Sequence, residues 1–187
     1  LMVRLSDYVI SFLEERGVKD IFMLSGGFCL PLVDSIGKSS INHICNLHEQ
    51  AAAIGAEAYA QYKNSPGVCL VTAGPGGTNT ITGVASAWLD SIPMIILSGQ
   101  VQSRDVRGKR KVRQIGFQEI DMATLVAPIT KYTKTLTCSK DVKYVMEKAW
   151  HLATTGRQGP VWIEIPLDIQ SSIIEPDSLV GFTPPPQ

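Results

Sequence analysis

Three polar residues, His48, Glu49 and Gln50, separate the apolar segment INHIC from the alanine- and glycine-rich segment AAAIGAEAYA. The first segment predicts a strand, and the second predicts a helix whose small side chains allow close packing. Glu49 would then lie in the first turn of that helix, where the helix dipole stabilises a carboxylate. The alternative is a partly desolvated carboxyl group with a raised pKa, which can hydrogen-bond a ligand nitrogen or transfer a proton. The local sequence is compatible with both interpretations.

A glycine-rich segment, AGPGGTN, follows the β-rich segment GVCLVT, which ends at Thr72. It lacks the Gly-Lys-Ser/Thr of a P-loop and the third glycine of the dinucleotide-binding fingerprint. Free backbone N–H groups at a helix N-terminus could still hold an anion or a ring heteroatom. The simpler interpretation is a tight strand-to-helix turn that needs glycine.

Two further breaks, Ser25-Gly26-Gly27 and Ser98-Gly99-Gln100, also follow predicted strands. In open parallel sheets, ligands bind at the carboxyl ends of the strands. We therefore expect four breaks to meet at one edge of the sheet, namely these two, residues 48–50 and residues 72–79.

A basic segment, RDVRGKRKVR at residues 104–113, carries six lysines and arginines in ten residues. Such segments are commonly solvated loops, but this one also fits a lid or a contact with a phosphate-bearing substrate or nucleotide cofactor. The segment GFQEID follows it and contributes Gln118 and Glu119 as polar candidates.

The composition is typical of a soluble globular chain, with 44% hydrophobic and 18% charged residues among 187. The 17 basic residues balance the 17 acidic ones, which indicates neither a nucleic-acid nor a membrane partner. No apolar run reaches the roughly 18 residues of a membrane span, and no signal peptide is evident, so we expect a cytoplasmic protein.

The histidine spacing predicts no metal site. Four cysteines without a C-x-x-C pair are expected to be buried free thiols: Cys29, Cys45, Cys69 and Cys138.

Helical and strand-like patterns alternate along the whole chain. Ser6 is expected to cap the first helix and Gly17 to end it. Predicted strands that are mostly apolar on both faces lie at residues 20–24, 41–45, 67–72, 93–99 and 159–165. This pattern predicts a three-layer α/β/α domain with a mostly parallel central sheet. The tail GFTPPPQ indicates a stiff linker, so we expect a domain at residues 1–175 and a linker at residues 176–187 that leads to further domains.

Five segments occur in an order and spacing that resemble a known family. They are LSGGFCLPLVDSI, LHEQAAAIGAEAYAQ, GVCLVTAGPGGTNTITGVASAWLDSIPMIILSGQV, FQEID and GPVWIEIPLDIQ. Together they resemble the N-terminal pyrimidine-binding domain of thiamine-diphosphate enzymes of the acetolactate synthase and pyruvate oxidase group. The resemblance extends from about Leu5 to Ile174.

The resemblance implies a role for each polar break. The glutamate of the His-Glu-Gln motif, here Glu49, would hydrogen-bond N1′ of the cofactor's aminopyrimidine and favour the imino tautomer. The 4′-nitrogen of that tautomer removes the proton from C2 of the thiazolium. The implied cofactor-binding residues are Ser25, Gly26, Gly27, Glu49, Thr72, Pro75 and Asn79. Gln118 resembles the glutamine that reaches the reacting centre.

The resemblance also implies partners. The substrate would be a 2-keto acid such as pyruvate, and the assembly a homodimer or homotetramer in which this domain faces the diphosphate-binding domain of another subunit. Mg²⁺ and the diphosphate would be held by a Gly-Asp-Gly…Asn motif in a C-terminal domain, so we expect this chain alone to be inactive. Any FAD site of the parent enzyme would lie largely in a middle domain.

Two residues depart from the acetolactate synthase pattern. Ser25 stands where that group usually has proline, and Leu167 where it usually has lysine. These differences leave the substrate open to another 2-keto acid, an acyl-CoA or a sugar-derived keto compound. The competing hypotheses are a non-catalytic regulatory or assembly domain with the same fold and a nucleotide-binding α/β domain.

Overall fold

Strands and helices alternate in the computed structural model, which describes residues 1–185. The strands are β1 Val3–Arg4, β2 Asp20–Met23, β3 Asn42–Cys45, β4 Gly67–Val71, β5 Met94–Gln100, β6 Tyr132–Thr135, β7 Pro160–Pro166 and β8 Ile173–Ile174. The α-helices are α1 Leu5–Glu15, α2 Leu30–Gly37, α3 Glu49–Lys63, α4 Pro75–Thr78, α5 Ile81–Leu89, α6 Met122–Val126, α7 Val142–Thr154 and α8 Leu167–Gln170. Short 3₁₀ helices lie at Gly27–Cys29, Ser103–Asp105, Ala127–Ile129, Ser139–Asp141 and Pro176–Ser178.

Six strands form one parallel sheet in the order β3-β2-β4-β5-β7-β6. The chain thus adds β3 on one side of β2. It then crosses to the other side of β2, where β4, β5, β7 and β6 follow. Because parallel neighbours need crossover connections, helices cover both faces of the sheet. The predicted three-layer α/β/α fold is confirmed. A separate antiparallel pair, β1 with β8, joins the two ends of the domain.

The two faces of the sheet pack against different helices. One buried cluster joins α1, α2 and α7 to the sheet, and the other joins α3, α5 and α6. Alternate residues of β4 divide between them: Val68 and Leu70 lie in the first cluster, and Cys69 and Val71 in the second. This alternation follows from the two-residue repeat of a strand, and it explains why the central strands are apolar throughout.

Small residues bring α3 close to the sheet and to α5. Ala52, Ala53 and Ala56 are fully buried. A Cβ on Gly83 would lie 2.7 Å from the Cβ of Ala53, so a larger residue at that position would push the two helices apart. The packing predicted for the segment AAAIGAEAYA is therefore observed.

Two local predictions were wrong. Ser6 is buried inside α1 instead of capping it, because the helix begins at Leu5 with Arg4 at the N-cap position. Ser98, Gly99 and Gln100 are buried residues of β5 and do not form a break. Glycine stands at position 99 because a side chain there would overlap the carbonyl group of Phe28.

Two of the four cysteines also differ from prediction. Cys29 and Cys69 are buried, but Cys45 and Cys138 are exposed. Cys45 ends β3, an edge strand on which all four residues are exposed in this chain. The apolar residues of this strand led to the wrong expectation, because an edge strand can carry them without burying them.

The end of the chain contacts the domain as far as Phe182. Its backbone N–H donates to Glu147 Oε2 at 2.6 Å, and its ring meets that of Tyr144 edge-on at 5.5 Å between centroids. The first part of the predicted linker therefore packs on α7. Residues 186 and 187 of that prediction lie outside the described residues. Within the described chain, none of the helices has the length and apolar character required to cross a membrane.

Candidate functional site

Glu49 opens α3 directly after β3 and the short turn that follows it. His48 is the N-cap residue, and its Nδ1 accepts a hydrogen bond from the backbone N–H of Gln50 at 3.1 Å. Glu49 is half-buried, and its Oε2 accepts a hydrogen bond from Asn79 Nδ2 at 2.8 Å. The pair joins residues 30 positions apart and fixes the direction of the carboxylate.

The glycine-rich turn after β4 lies against this carboxylate. Gly74 has φ +61° and ψ −121°, a backbone conformation that residues with a side chain rarely adopt. Pro75 then begins the short helix α4. A Cβ on Gly76 would lie 2.7 Å from Cγ2 of Thr72 and 3.4 Å from Oε1 of Glu49. Glycine at position 76 is therefore required by close packing on Thr72, and it allows the turn to lie next to the second carboxylate oxygen.

Thr72 joins the turn after β4 to the turn after β2. A Cβ on Gly26 would lie 2.5 Å from the Cβ of Thr72, and Thr72 Oγ1 accepts a hydrogen bond from the backbone N–H of Phe28 at 3.3 Å. Glycine is therefore required at position 26 by close packing. Ser25 and Gly27 are exposed, and a Cβ on Gly27 would meet nothing within 4 Å.

Gln118 lies beside the same turn through its backbone. Its φ is +58°, and a Cβ on Gly74 would overlap its carbonyl oxygen. Its side chain is exposed, and no hydrogen bond within residues 1–185 joins it to Glu49. The fold thus brings Gly26, Glu49, Thr72, Pro75, Asn79 and Gln118 to one edge of the sheet, while the contact of Gln118 is made by its main chain.

A second carboxylate, Glu164 on β7, was missed by the sequence reasoning. It is 2% exposed and accepts hydrogen bonds from Gln100 Nε2 at 2.9 Å and from Thr135 Oγ1 at 2.7 Å. Burial raises its pKa to about 7, and the negative charges of Asp121 and Glu119 also raise it, against the lowering effect of these hydrogen bonds. The single acidic residue in the apolar segment VWIEI was the available signal.

Glu164 is connected to the segment that carries Gln118. The Nε2 group of Gln100 also donates to the carbonyl oxygen of Ile120 at 3.1 Å, two residues after Gln118. Glu164 and Gln100 line a cavity of about 210 Å³ whose wall includes Glu119 and Thr135. The buried Glu164 carboxylate is therefore connected through Gln100 to the segment that carries Gln118.

The electrostatic surroundings of Glu49 leave its carboxylate available to a ligand. Burial raises the pKa of the Cys69 thiol to about 12, and the Glu49 carboxylate contributes to that rise. Within residues 1–185, no lysine, arginine or histidine pairs with Glu49 and no cluster of three or more metal-ligating side chains occurs. The arrangement can accept or share a proton with a ligand nitrogen placed against Oε1.

The chain was compared with known proteins. The family described as thiamine pyrophosphate enzyme, N-terminal TPP binding domain, matches residues 3–125. The acetolactate synthase large subunit of Lactococcus lactis subsp. lactis (strain IL1403) is 42% identical over 167 residues, which cover 89% of this chain and 28% of that protein. The acetolactate synthase isozyme 1 large subunit of Escherichia coli (strain K12) is 37% identical over 171 residues, or 91% of this chain and 29% of that protein.

A third relative gives a similar result. The probable acetolactate synthase large subunit of Methanocaldococcus jannaschii is 41% identical over 170 residues, which cover 91% of this chain and 28% of that protein. The chain thus spans less than a third of the length of these relatives. Because the family match covers more than half of the chain and the α/β/α fold agrees with it, the chain belongs to the thiamine pyrophosphate enzymes and contains their N-terminal TPP-binding domain.

Proposed function

We propose that the full-length protein is a thiamine-diphosphate-dependent 2-keto acid decarboxylase and carboligase, like the acetolactate synthases it resembles. In this proposal, the present domain supplies the glutamate that activates the cofactor. The observation that carries the proposal is the Glu49 carboxylate, which Asn79 holds at 2.8 Å at the N-terminus of α3 without a cationic partner in residues 1–185.

The residues around Glu49 fit an aminopyrimidine ring. Gly76 packs closely on Thr72 and so allows the turn after β4 to lie next to Oε1 of Glu49. A ring nitrogen of an aminopyrimidine needs one carboxyl oxygen as its partner, and Oε1 of Glu49 accepts no hydrogen bond within residues 1–185. When bound, thiamine diphosphate supplies the acidic carbon that attacks a carbonyl group and the electron sink for decarboxylation.

Each candidate site residue has a distinct role in this proposal. Glu49 shares a proton with N1′ of the ring, and Asn79 orients the carboxyl group through its hydrogen bond. Pro75 and Thr72 form one wall of the ring site, and Gln118 meets the substrate at the open side. Ser25, Gly26 and Gly27 continue this wall, since Gly26 packs on Thr72. The exposed side chain of Gln118 is free to turn toward a substrate.

The site is completed by parts that this chain does not contain. We propose that Mg²⁺ and the cofactor diphosphate are held by another domain of the full-length protein, in a homodimer or homotetramer located in the cytoplasm. Apolar side chains near Glu49 support a subunit contact, since Leu47 is fully exposed and Ile54 on α3 is 41% exposed. Pyruvate is the first donor substrate to test, and FAD is an additional cofactor to test in the purified protein.

Carbon dioxide release from pyruvate tests the proposal. The full-length protein, loaded with thiamine diphosphate and Mg²⁺, is expected to release CO₂ from pyruvate or from another member of a 2-keto acid panel. Glu49→Gln should reduce the rate by at least about 100-fold, because a glutamine cannot share the proton. The matched control is Glu15→Gln, an exposed glutamate on α1, which should keep the wild-type rate. A folded wild-type protein that releases no CO₂ from any panel member would support the non-catalytic alternative instead.

A further inference from the structure

The basic loop, residues 104–113, begins four residues after the end of β5 and leads to the Gln118 segment. Its start is fixed by Asp168, whose Oδ1 accepts from the backbone N–H of Ser103 at 2.8 Å and from its hydroxyl at 3.0 Å. The chain continues from its end to Gln118, five residues later, whose carbonyl group contacts Gly74 in the turn before Asn79. The loop therefore lies at the edge of the site around Glu49.

Hydrogen bonds hold the base of the loop. The backbone N–H of Gly116 donates to the carbonyl oxygen of Asp105 at 2.9 Å and closes the loop. Glu119 accepts one hydrogen bond from the backbone N–H of Arg107 and another from that of Ile115 at 3.1 Å. A loop tied at both ends loses less conformational entropy when its side chains bind a ligand.

The cations of the loop are not neutralised within the domain. Arg104 has a carboxylate within salt-bridge distance, at 3.8 Å from Asp105. No other ion pair involves the loop within residues 1–185, and Glu119, the adjacent acid, bonds backbone N–H groups. Five positive charges thus lack an acidic partner there: Arg107, Lys109, Arg110, Lys111 and Arg113. Residues 108–115 are exposed.

We propose that the basic loop binds a phosphate or diphosphate group carried by the second substrate, the acceptor that enters the site beside Glu49. This inference rests on the proposed function. The single carboxylate of a simple 2-keto acid needs one or two cations, whereas a diphosphate carries more charge and several oxygens for guanidinium and ammonium groups. The acceptor is therefore a keto compound linked to a phosphate or nucleoside diphosphate.

The diphosphate of the cofactor is the other source of the same chemistry. The test separates the two by using protein already saturated with thiamine diphosphate and Mg²⁺. A ligand that binds the loop as an acceptor leaves the cofactor in place, whereas a ligand that takes the place of the cofactor's diphosphate releases it into solution.

The experiment is calorimetric titration of the full-length, cofactor-loaded protein with ADP, CDP, GDP and UDP and with the four matching nucleosides. At least one diphosphate should bind about tenfold or more tightly than its nucleoside. The triple variant Lys109→Gln, Arg110→Gln, Lys111→Gln should weaken that binding by at least about tenfold. The control Lys19→Gln, Lys63→Gln, Lys140→Gln removes the same charge at exposed positions elsewhere and should change binding by less than about threefold.

Several results would overturn the inference. They are equal binding of diphosphates and nucleosides, equal losses in the loop and control variants, and release of thiamine diphosphate on titration. A changed oligomeric state of the loop variant would assign the loop to a subunit contact. Unfolding temperatures of both variants within about 2 °C of the wild type establish that the loss of binding is local.

Carbon dioxide release is measured on the same wild-type sample. Its absence contradicts the proposed function, whereas its presence without diphosphate binding contradicts only the role of the loop.

Discussion

Glutamates of this domain differ in chemistry because their partners differ. Glu57 is buried and accepts from Gln61 Nε2 at 2.9 Å, and it serves the packing of α3. Glu119 accepts backbone N–H groups and holds a loop. Glu49 has one side-chain donor, Asn79, and its Oε1 accepts no hydrogen bond within residues 1–185. The surroundings of Glu49, more than its residue type, make it the candidate for proton transfer.

Glu164 gives a prediction about pH at the residue scale. Its pKa rises from 4.5 in the unfolded chain to about 7 in the folded one, mainly through burial. Between these values the folded state binds more protons, so the free energy of unfolding falls as pH rises from 4.5 to about 7. The full change from this group is about 3 kcal/mol.

Urea unfolding of the 187-residue chain between pH 5 and pH 8 measures this effect. Glu164→Gln should flatten the decline, since glutamine does not titrate, whereas the exposed control Glu15→Gln should keep it. If Glu164→Gln declines as steeply as the wild type, another group is responsible for the pH dependence.

At the scale of elements, turns between strands and helices set the geometry of the site. The turn after β4 contacts the Glu49 carboxylate through Gly76 and the Gln118 backbone through Gly74. The turn after β2 packs on Thr72 through Gly26. Each contact is possible only because glycine has no side chain. Glycines at these positions therefore determine how closely the three segments approach.

Replacement of Gly74 by alanine tests this close approach. The new Cβ would overlap the carbonyl oxygen of Gln118 and would also strain a backbone with φ +61°. We expect a loss of more than about 2 kcal/mol in the free energy of unfolding. Gly17→Ala is the matched control, because Gly17 has φ +81° but its Cβ would meet nothing within 4 Å. It should cost about 1 kcal/mol, and equal losses in the two variants would contradict the overlap.

The sequence predicted those parts of the site that depend on local patterns. Apolar strands followed by polar or glycine breaks predicted the parallel sheet and the meeting of residues 25–27, 48–50 and 72–79. The break assigned to residues 98–100 was wrong, because Gly99 accommodates a neighbouring backbone and not a turn. The strand β6 was not predicted, since its residues YTKT are polar and half-buried.

Contacts between distant residues could not be predicted from local patterns. The hydrogen bond from Asn79 to Glu49 joins residues 30 apart, and the bond from Gln100 to Glu164 joins residues 64 apart. Such pairs depend on which strands become neighbours in the sheet. The order β5-β7 brings Gln100 and Glu164 together, although β6 lies between them in the chain.

At the scale of the whole molecule, we propose that the domain presents one side of a site. Its candidate residues lie along one edge of the sheet, and Leu47, two residues before Glu49, is fully exposed. The relatives are more than three times as long as the aligned part of this chain. In our proposal, the other side of the site comes from a second subunit, which would cover Leu47 and bring the diphosphate-binding residues to the cofactor.

The most direct test of the account is exchange of the C2 proton of thiamine diphosphate for deuterium, followed by NMR on the full-length protein with Mg²⁺. It needs no knowledge of the substrate. We expect exchange that is much faster than in free cofactor, a decrease of at least about 100-fold in Glu49→Gln, and no decrease in Glu15→Gln. Exchange in the wild type that is no faster than in free cofactor would contradict the account and leave Glu49 as a carboxylate that only stabilises the start of α3.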